Sequence, residues 1–159
     1  MDKNYLSQLL HYDPSTGVFI WKVNRRGGAM AGKEAGSITS KGYRSIRVFN
    51  SRYGAHRLAF LFMTGFMPAS DIDHINGNRA DNRWSNLRDV SRSVNMQNLH
   101  RPHKDNATGF LGVSKFRNKY QASIRANGTT TRIGLYDCPQ MAHAAYIASK
   151  RALHTGNTL

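Results

Sequence analysis

The sequence predicts an α+β protein built from two modules, and three features of the chain support this prediction. An Asp-, His- and Asn-rich segment, residues 71–98, follows a stretch in which helical and β-favouring patterns alternate. A basic segment that contains a proline, residues 100–108, has the composition of a linker. After it, three β-favouring runs precede one helical pattern. We therefore predict an N-terminal module over residues 1–99, and a C-terminal module over residues 109–157 in which a small three-stranded antiparallel sheet packs on one helix.

The net charge of the chain indicates the kind of partner it binds. The 159 residues carry a charge of +14, spread along the chain and interleaved with Tyr and Phe, which favours a nucleic acid. Cys138 is the only cysteine, so an intramolecular disulfide and a paired-cysteine zinc site are excluded. We find no secretory signal and no apolar run long enough to span a membrane, and we expect a cytoplasmic protein without a membrane partner. The sequence does not indicate an oligomeric state.

Short helices and strands are predicted before the Asp-rich segment. In chain order they are a helix over 5–10, a turn over 13–17, strands over 18–23 and 43–49, a turn over 50–54 and a helix over 55–64 that ends at Gly65. A Gly- and Ala-rich loop is predicted over residues 25–36. Its cationic residues are candidates for contacts with backbone phosphates: Arg25, Arg26 and Lys33.

The Asp-rich segment carries residues suited to phosphodiester hydrolysis. This reaction requires a base that activates water and a cation that neutralises charge on the phosphate and on the departing oxygen. Asp73 and His74 are adjacent at the predicted end of a strand and offer both functions. Asn95, in a helix predicted from residue 92 to about residue 99, offers a second oxygen ligand for a small hard cation such as Mg²⁺. A turn-forming Asn-Gly-Asn sequence and a return strand predicted over 87–90 connect these parts.

This order of strand, loop, strand and helix resembles the ββα-metal (His-Me finger) motif of HNH homing endonucleases of phages and introns. Asn86 lies twelve residues after His74, and Asn95 nine residues further on. The resemblance implies that Asp73 and Asn95 bind one divalent cation, Mg²⁺ or Mn²⁺, that His74 is the general base, and that Asn86 braces the loop and orients the histidine. Asn98, on the same helical face as Asn95, is the competing choice for the second ligand.

The residues before this motif also resemble phage HNH proteins. YDPSTGVFIWK, GYRSI and AHRLAFLFMTGFMP are similar to the leader that precedes the nuclease motif in many of them. His56 in this leader is a candidate to approach the scissile phosphate, and the alternative is a packed histidine at the start of the helix. Arg83 and Arg88 are available for phosphate contacts. If the chain is phage-encoded, the cytoplasm in question is that of the host cell.

Three β-strands are predicted after the linker, over residues 112–116, 120–126 and 129–136. Asn127-Gly128 between the last two is a strong hairpin pattern. Polar and apolar residues alternate along the middle strand, which predicts one polar and one apolar face.

A helix is predicted to follow the strands. Asp137 is its predicted cap, Pro139 lies in its first turn, and Gln140 closes a capping box. Gly156 is predicted to end it. One side of the helix is predicted to consist of Ala142, Ala145, Tyr146, Ser149 and Leu153.

This C-terminal unit, from TGFLGVSKF through KYQASIRANG to RIGLYDCPQMAHAAYIASKRALHTG, resembles the APETALA-type (ethylene-response-factor) DNA-binding domain. The resemblance implies that the outer face of the sheet enters the major groove of double-stranded DNA. The predicted DNA-binding residues are Ser114, Phe116, Lys119, Gln121, Ser123, Arg125, Thr130 and Arg132. Only Arg125 retains an arginine of the family, so the target sequence of the family is not carried over.

The two resemblances together predict a metal-dependent DNA endonuclease. Its N-terminal module would hydrolyse DNA to a 3′ hydroxyl and a 5′ phosphate, and its C-terminal module would bind DNA. The alternative is a DNA-binding regulator with an inactive HNH motif, although the complete set of Asp73, His74, Asn86 and Asn95 argues against a decayed site. A structural protein that packages nucleic acid is a third hypothesis. The sequence does not distinguish nicking from double-strand cleavage.

Overall fold

The protein divides into two units, residues 1–92 and 93–159. The computed structural model describes residues 2–27, 29–126, 128–154 and 157. Within these residues short helices alternate with small antiparallel sheets, which confirms the predicted α+β class. No helix in the described ranges is long and apolar enough to cross a bilayer. The functional division at residues 99 and 109 stays a prediction.

In its described residues the first unit contains three small sheets and two helices. Its elements are α1 (Lys3–Leu9), β1 (Leu10–Asp13), β2 (Val18–Trp21), β3 (Ser37–Ile38), β4 (Arg44–Val48), β5 (Ser51–Gly54), α2 (Ala55–Thr64), β6 (Asp71–His74), a 3-10 turn (Trp84–Asn86) and β7 (Leu87–Val90). The sheets pair β1 with β2, β3 with β4 and β5, and β6 with β7.

Two predictions for this unit are corrected by the structure. The helix predicted over 5–10 begins at Lys3, because the Asp2 carboxylate caps it by accepting from the Asn4 N–H at 2.8 Å, and Leu10 already belongs to β1. The turn predicted over 50–54 is wrong, because Ser51–Gly54 pairs with β4 as β5. The chain reverses at Phe49 and Asn50 instead, whose φ values of 51° and 60° suit a two-residue hairpin turn.

The core of the first unit lies under α2 and the three sheets. Apolar side chains from α1, β1, β2, β4 and α2 form it together with Ile72 of β6 and Leu87 of β7. The predicted end of α2 at Gly65 is confirmed, since Gly65 has φ 88° and its N–H bonds to the Leu61 carbonyl. The strands that carry the predicted catalytic residues are therefore attached to a packed core through their apolar positions.

The second unit contains the predicted three-stranded sheet and helix. Its elements are α3 (Arg92–Gln97), which begins at the last residue of the first unit, β8 (Val113–Phe116), β9 (Lys119–Ala126), β10 (Thr129–Tyr136) and α4 (Pro139–Leu153). The sheet has the order β10-β9-β8 and is antiparallel. Asn127 of the predicted hairpin turn and Gly156 of the predicted helix end lie outside the described residues.

The start and the buried side of α4 differ from the prediction. Cys138 is the N-cap, without a side-chain hydrogen bond, so neither the Asp137 cap nor the Gln140 capping box forms. The reason is Pro139, which occupies the first helical position and holds the preceding residue in an extended conformation. Asp137 pairs with Lys119 instead, at 3.1 Å.

On the buried side, Ala142 and Tyr146 pack on the sheet as predicted, but Leu153 is 54 % exposed. Lys150 continues the four-residue spacing of the buried side and is 1 % exposed, with its Nζ 2.5 Å from the Leu99 carbonyl oxygen. The long side chain reaches a backbone acceptor, which is how its charged end is satisfied inside the unit.

Candidate active site

The predicted catalytic pair lies at the end of β6, below the surface of the first unit. Asp73 and His74 are 7 % and 4 % exposed, and in the β6–β7 ladder they face Arg88 and Leu87. Oδ2 of Asp73 accepts two hydrogen bonds from Arg88, from Nε at 2.9 Å and from Nη2 at 2.7 Å. The carboxylate is thus held by a guanidinium on the neighbouring strand, a contact that the sequence analysis did not predict.

Asn86 braces the loop between β6 and β7. Its Oδ1 accepts from the Asn76 N–H at 2.9 Å, and its Nδ2 donates to the Asp81 carbonyl at 2.8 Å. Its own carbonyl accepts from the Ile75 N–H at 2.9 Å. One buried side chain therefore connects both ends of the loop, which is the geometry expected of the bracing role predicted for Asn86.

His74 contacts a residue that the sequence analysis did not single out. Its Nε2 lies 3.4 Å from Oδ1 of Asn82, which is buried in the same loop. Burial lowers the pKa of His74, and the hydrogen bond that the ring makes to Oδ1 of Asn82 and the carboxylates of Asp73 and Asp81 offset this only in part. His74 is therefore neutral at pH 7, as a general base must be before it takes a proton.

A second imidazole lies beside His74. The ring centroids of His56 and His74 are 5.2 Å apart, and the Tyr43 ring lies 5.3 Å from His56 and 5.9 Å from His74. Nδ1 of His56 is buried without a hydrogen-bond partner among the described residues. Burial, with smaller contributions from His74 and Arg57, lowers the pKa of His56 to about 4. The structure thus places His56 at the site, packed as an uncharged ring.

The loop after β6 is also attached to the turn before β4. Arg79 donates from Nη1 to the Lys41 carbonyl at 3.1 Å, and its guanidinium lies 5.0 Å from the centroid of the Tyr43 ring. Because Tyr43 in turn packs on both histidines, this contact joins the loop to the imidazole cluster.

The two arginines predicted to contact phosphates are engaged in ion pairs. Arg83 donates from Nε and Nη2 to the two carboxylate oxygens of Asp81, at 2.8 and 2.6 Å, and its side chain is 50 % exposed. These hydrogen bonds lower the pKa of Asp81 to about 2. Arg88 pairs with Asp73 and is 26 % exposed. Arg83 thus keeps more of its guanidinium in solvent than Arg88 does.

The candidates for the second metal ligand belong to the second unit. Asn95 is half-buried in α3, whereas Asn98 follows the helix, is 6 % exposed, and has its Oδ1 3.1 Å from Nε2 of His100. A carboxylate and an amide oxygen fit the preference of small hard divalent cations for oxygen ligands. No group of three His, Cys, Asp or Glu side chains in the described part of the chain has the geometry of a metal site.

A cationic groove of about 900 Å³ lies elsewhere on the first unit. Residues of the predicted loop 25–36 and of the β3–β4–β5 sheet line it. Its arginines are Arg25, Arg26, Arg47 and Arg52, and among the described residues of the lining Glu34 is the one acidic residue. The groove contains two of the three cationic residues predicted to contact phosphates, and Lys33 is not part of its lining.

The eight predicted DNA-binding residues of the second unit form four cross-strand pairs. The pairs are Ser114 with Gln121, Phe116 with Lys119, Ser123 with Arg132, and Arg125 with Thr130. Residues directly opposite each other in an antiparallel sheet lie on the same face. α4 packs on the other face, over Val113, Ala122 and Ile124, so the predicted residues share the face that α4 leaves uncovered.

Sequence reasoning missed Asn82 and Tyr43 and did not decide the place of His56. Asn82 is one of several Asn and Asp residues in a loop, and nothing in its spacing distinguishes it from turn-forming neighbours. Tyr43 and His56 are separated from His74 by many residues, and only the fold brings the three rings together.

Two comparisons with known proteins give a match, and one gives none. No curated protein matches the chain. A structure of DNA binding and cleavage by the HNH homing endonuclease I-HmuI is similar to 61 % of this chain, with 22 % sequence identity and a TM-score of 0.45, and the match spans 55 % of that protein's length. A family model described as HNH endonuclease matches residues 53–97. The part of the chain that carries His56, Asp73, His74, Asn86 and Asn95 therefore has the sequence pattern of an HNH endonuclease.

Proposed function

We propose that the protein is a DNA endonuclease of the HNH homing type that depends on a divalent cation and hydrolyses phosphodiester bonds. The observation that carries the proposal is the buried Asp73–His74 pair at the end of β6, inside the segment that matches the HNH endonuclease family. An adjacent carboxylate and neutral imidazole combine an oxygen ligand with a base, which are the two functions that phosphodiester hydrolysis requires.

His74 is the proposed general base. Its lowered pKa leaves it unprotonated at neutral pH, so it can accept a proton from the attacking water. Asn86 holds the loop over the pair through its bonds to Asn76 and Asp81, which keeps the imidazole at a fixed position relative to the loop. The expected products are a 3′ hydroxyl and a 5′ phosphate.

Asp73 and Asn95 are the proposed ligands of one divalent cation, Mg²⁺ or Mn²⁺. When bound, such a cation neutralises negative charge on the phosphate and on the departing oxygen. Asn98 is the competing ligand. Its burial and its contact with His100, together with the end of the family match at residue 97, favour Asn95.

DNA contacts are proposed on both units. In the second unit, the uncovered face of the β8–β9–β10 sheet carries Arg125, Arg132 and six polar or aromatic positions in register, and we propose that it enters the major groove as in the APETALA-type domain. In the first unit, the arginines of the groove and the half-exposed Arg83 are the proposed phosphate contacts. Arg88 is the weaker candidate, because it is less exposed and holds Asp73.

The test is incubation with supercoiled plasmid and Mg²⁺ or Mn²⁺, with and without a chelator. Formation of relaxed or linear plasmid that the chelator prevents is expected, and the product distinguishes nicking from double-strand cleavage. His74→Ala should slow cleavage by roughly 10²- to 10⁴-fold while DNA affinity stays unchanged, because a base acts in the transition state.

His11→Ala is a matched control, since His11 is an exposed histidine on β1 of the same unit. Cleavage by His74→Ala at the wild-type rate would remove His74 from the mechanism. DNA binding by the wild type without cleavage, under either cation, would favour the alternative of a DNA-binding regulator with an inactive HNH motif.

A further inference from the structure

Asn82 has a fixed orientation beside the proposed base. The residue is 1 % exposed, and its Nδ2 donates to the Ala80 carbonyl at 3.0 Å. A carbonyl oxygen only accepts hydrogen bonds, so the amide nitrogen must face Ala80 and the amide oxygen must face His74. The Asn82 amide therefore presents an acceptor to the imidazole.

This orientation favours a proton on one of the two nitrogens of His74. Oδ1 of Asn82 lies 3.4 Å from Nε2 of His74. Because Oδ1 cannot donate, a hydrogen bond between the two atoms requires a proton on Nε2, and in a neutral ring the basic lone pair is then on Nδ1. The distance is long for a hydrogen bond, as is common at catalytic sites before substrate binds.

The first hairpin of the chain holds Asn82 in place. The Tyr12 hydroxyl of β1 donates to the Asn82 carbonyl at 2.8 Å in a buried contact, across 70 residues of sequence. Burial, with smaller contributions from Asp13 and Asp81, raises the pKa of Tyr12 to about 12, so this hydroxyl remains a donor. The turn between β1 and β2 adds a bond from the Trp84 N–H to the Pro14 carbonyl at 3.0 Å.

Gly17 of the same turn lies directly against the loop. A Cβ on Gly17 would be 2.4 Å from the carbonyl carbon of Asn82 and 2.3 Å from the Arg83 nitrogen, so only glycine allows this approach. Side-chain, backbone and steric contacts from one hairpin thus converge on the peptide that carries the Asn82 side chain.

We propose that Asn82, held by the β1–β2 hairpin, is a positioning residue that keeps His74 in the tautomer with the proton on Nε2 and the lone pair on Nδ1. The consequence of this tautomer for catalysis rests on the proposed function, whereas the assignment of the tautomer does not. The hairpin then acts as a support for the base, in addition to its place in the core.

The test combines nitrogen NMR of the imidazole with cleavage kinetics on the full-length protein. In ¹⁵N-histidine-labelled protein at neutral pH, two-bond proton–nitrogen correlations should show His74 of the wild type with its proton on Nε2. Asn82→Ala should introduce the Nδ1-protonated form and lower the single-turnover cleavage rate by roughly 10- to 10²-fold, the scale of a misplaced catalytic group, with an unchanged Kd for DNA. Asn82→Asp retains an acceptor facing Nε2 but loses the donor to the Ala80 carbonyl, so it should keep the wild-type tautomer and recover only part of the rate.

Two further variants control for a general effect on folding. Tyr12→Phe removes only the hydroxyl that holds Asn82, and it should lower the rate less than Asn82→Ala does, with the same direction of change in the tautomer. Asn4→Ala, at an exposed asparagine of α1, should change neither quantity.

Two results would overturn the proposal: a wild-type His74 with its proton on Nδ1, or an Asn82→Ala variant with the wild-type tautomer. If Asn82→Ala does not fold, an unchanged tautomer in Tyr12→Phe would overturn the role of the hairpin. A wild type that does not cleave DNA but shows the Nε2-protonated tautomer, lost in Asn82→Ala, would refute the proposed function and leave the assignment of Asn82 intact.

Discussion

Replacing Arg88 by leucine tests whether the buried ion pair with Asp73 maintains the first unit. The change removes both N–H donors that bind Oδ2 of Asp73, at 2.9 and 2.7 Å, and leaves the carboxylate buried. Leucine keeps an aliphatic side chain at the position, so the main loss is electrostatic. We expect Arg88→Leu to lower the free energy of unfolding of this unit.

The size of the loss follows from the exposure of the two side chains. The Asp73 side chain is 8 % exposed and that of Arg88 is 26 % exposed. Removing one partner of a fully buried pair costs about 3–5 kcal/mol, and a hydrogen bond to a charged group contributes about 1.5–3 kcal/mol. Water reaches the partly exposed guanidinium and weakens the pair, so we expect a loss of about 2–3 kcal/mol. For a unit of this size that lowers Tm by about 10–20 °C.

Tryptophan fluorescence during urea or thermal unfolding measures this loss. Trp21 and Trp84 are the two tryptophans of the chain and both lie in the first unit, so their emission reports the unfolding of that unit. Arg83→Leu is the matched control, because it breaks an ion pair of similar geometry, with Asp81, at a side chain that is 50 % exposed. It should cost much less than Arg88→Leu does, because solvent screens an exposed ion pair.

A double variant separates the effect of leaving a buried charge unpaired from the effect of changing the shape of the side chain. Asp73→Leu combined with Arg88→Leu removes both charges of the pair, so the double variant should be more stable than Arg88→Leu alone. The reasoning is refuted if Arg88→Leu costs no more than Arg83→Leu, or if the double variant is as unstable as the single one.

Three further predictions concern pH, metal and DNA. Burial lowers the pKa of His56 from 6.5 in the unfolded chain to about 4 in the folded protein, so the unfolded state takes up the proton first as the pH falls. The free energy of unfolding is therefore unaffected by His56 above pH 6.5 and drops by about 3 kcal/mol as the pH falls to 4. The lowered pKa of His74 acts in the same direction. His56→Gln should flatten the measured dependence of the free energy of unfolding on pH between 6.5 and 4, and an unchanged dependence would contradict the burial of a neutral His56. Asn95→Ala should lower cleavage with partial rescue by added Mn²⁺, whereas rescue seen only for Asn98→Ala would assign the ligand to Asn98. Arg125→Ala should weaken binding at a preferred DNA site by about 1–3 kcal/mol and less on unrelated DNA, in titrations at several salt concentrations; equal losses would make it a phosphate contact.

Local patterns in the sequence predicted most of the secondary structure. β7 and β10 have the predicted bounds, β9 begins one residue early, and Ala122 and Ile124 are buried as the alternation in β9 requires. Such features depend on residues two to four positions apart, which is why they are visible in a single sequence. The errors at 50–54 and at the start of α4 arose where pairing or a proline outweighed the local pattern.

The candidate site was predictable in its residue types and not in its contacts. The adjacent carboxylate and imidazole indicated Asp73 and His74, and the resemblance to HNH endonucleases indicated Asn86. The structure places the first two at the end of β6 and the third across the loop. The ion pair of Asp73 with Arg88 required the register of β6 and β7. A shift by one residue would have put Arg88 on the opposite face of the ribbon.

The sequence by itself determined the α+β class, the positive charge and the residues that carry the proposed chemistry, because composition, periodicity and motif spacing are properties of the chain. The tertiary structure alone decided that His56 and Tyr43 pack on His74, and that Tyr12 holds Asn82 across 70 residues of sequence. Contacts between residues so far apart depend on the packing of α2 and the first hairpin around a common core. That packing is a collective result of burying apolar side chains, and no local pattern specifies it.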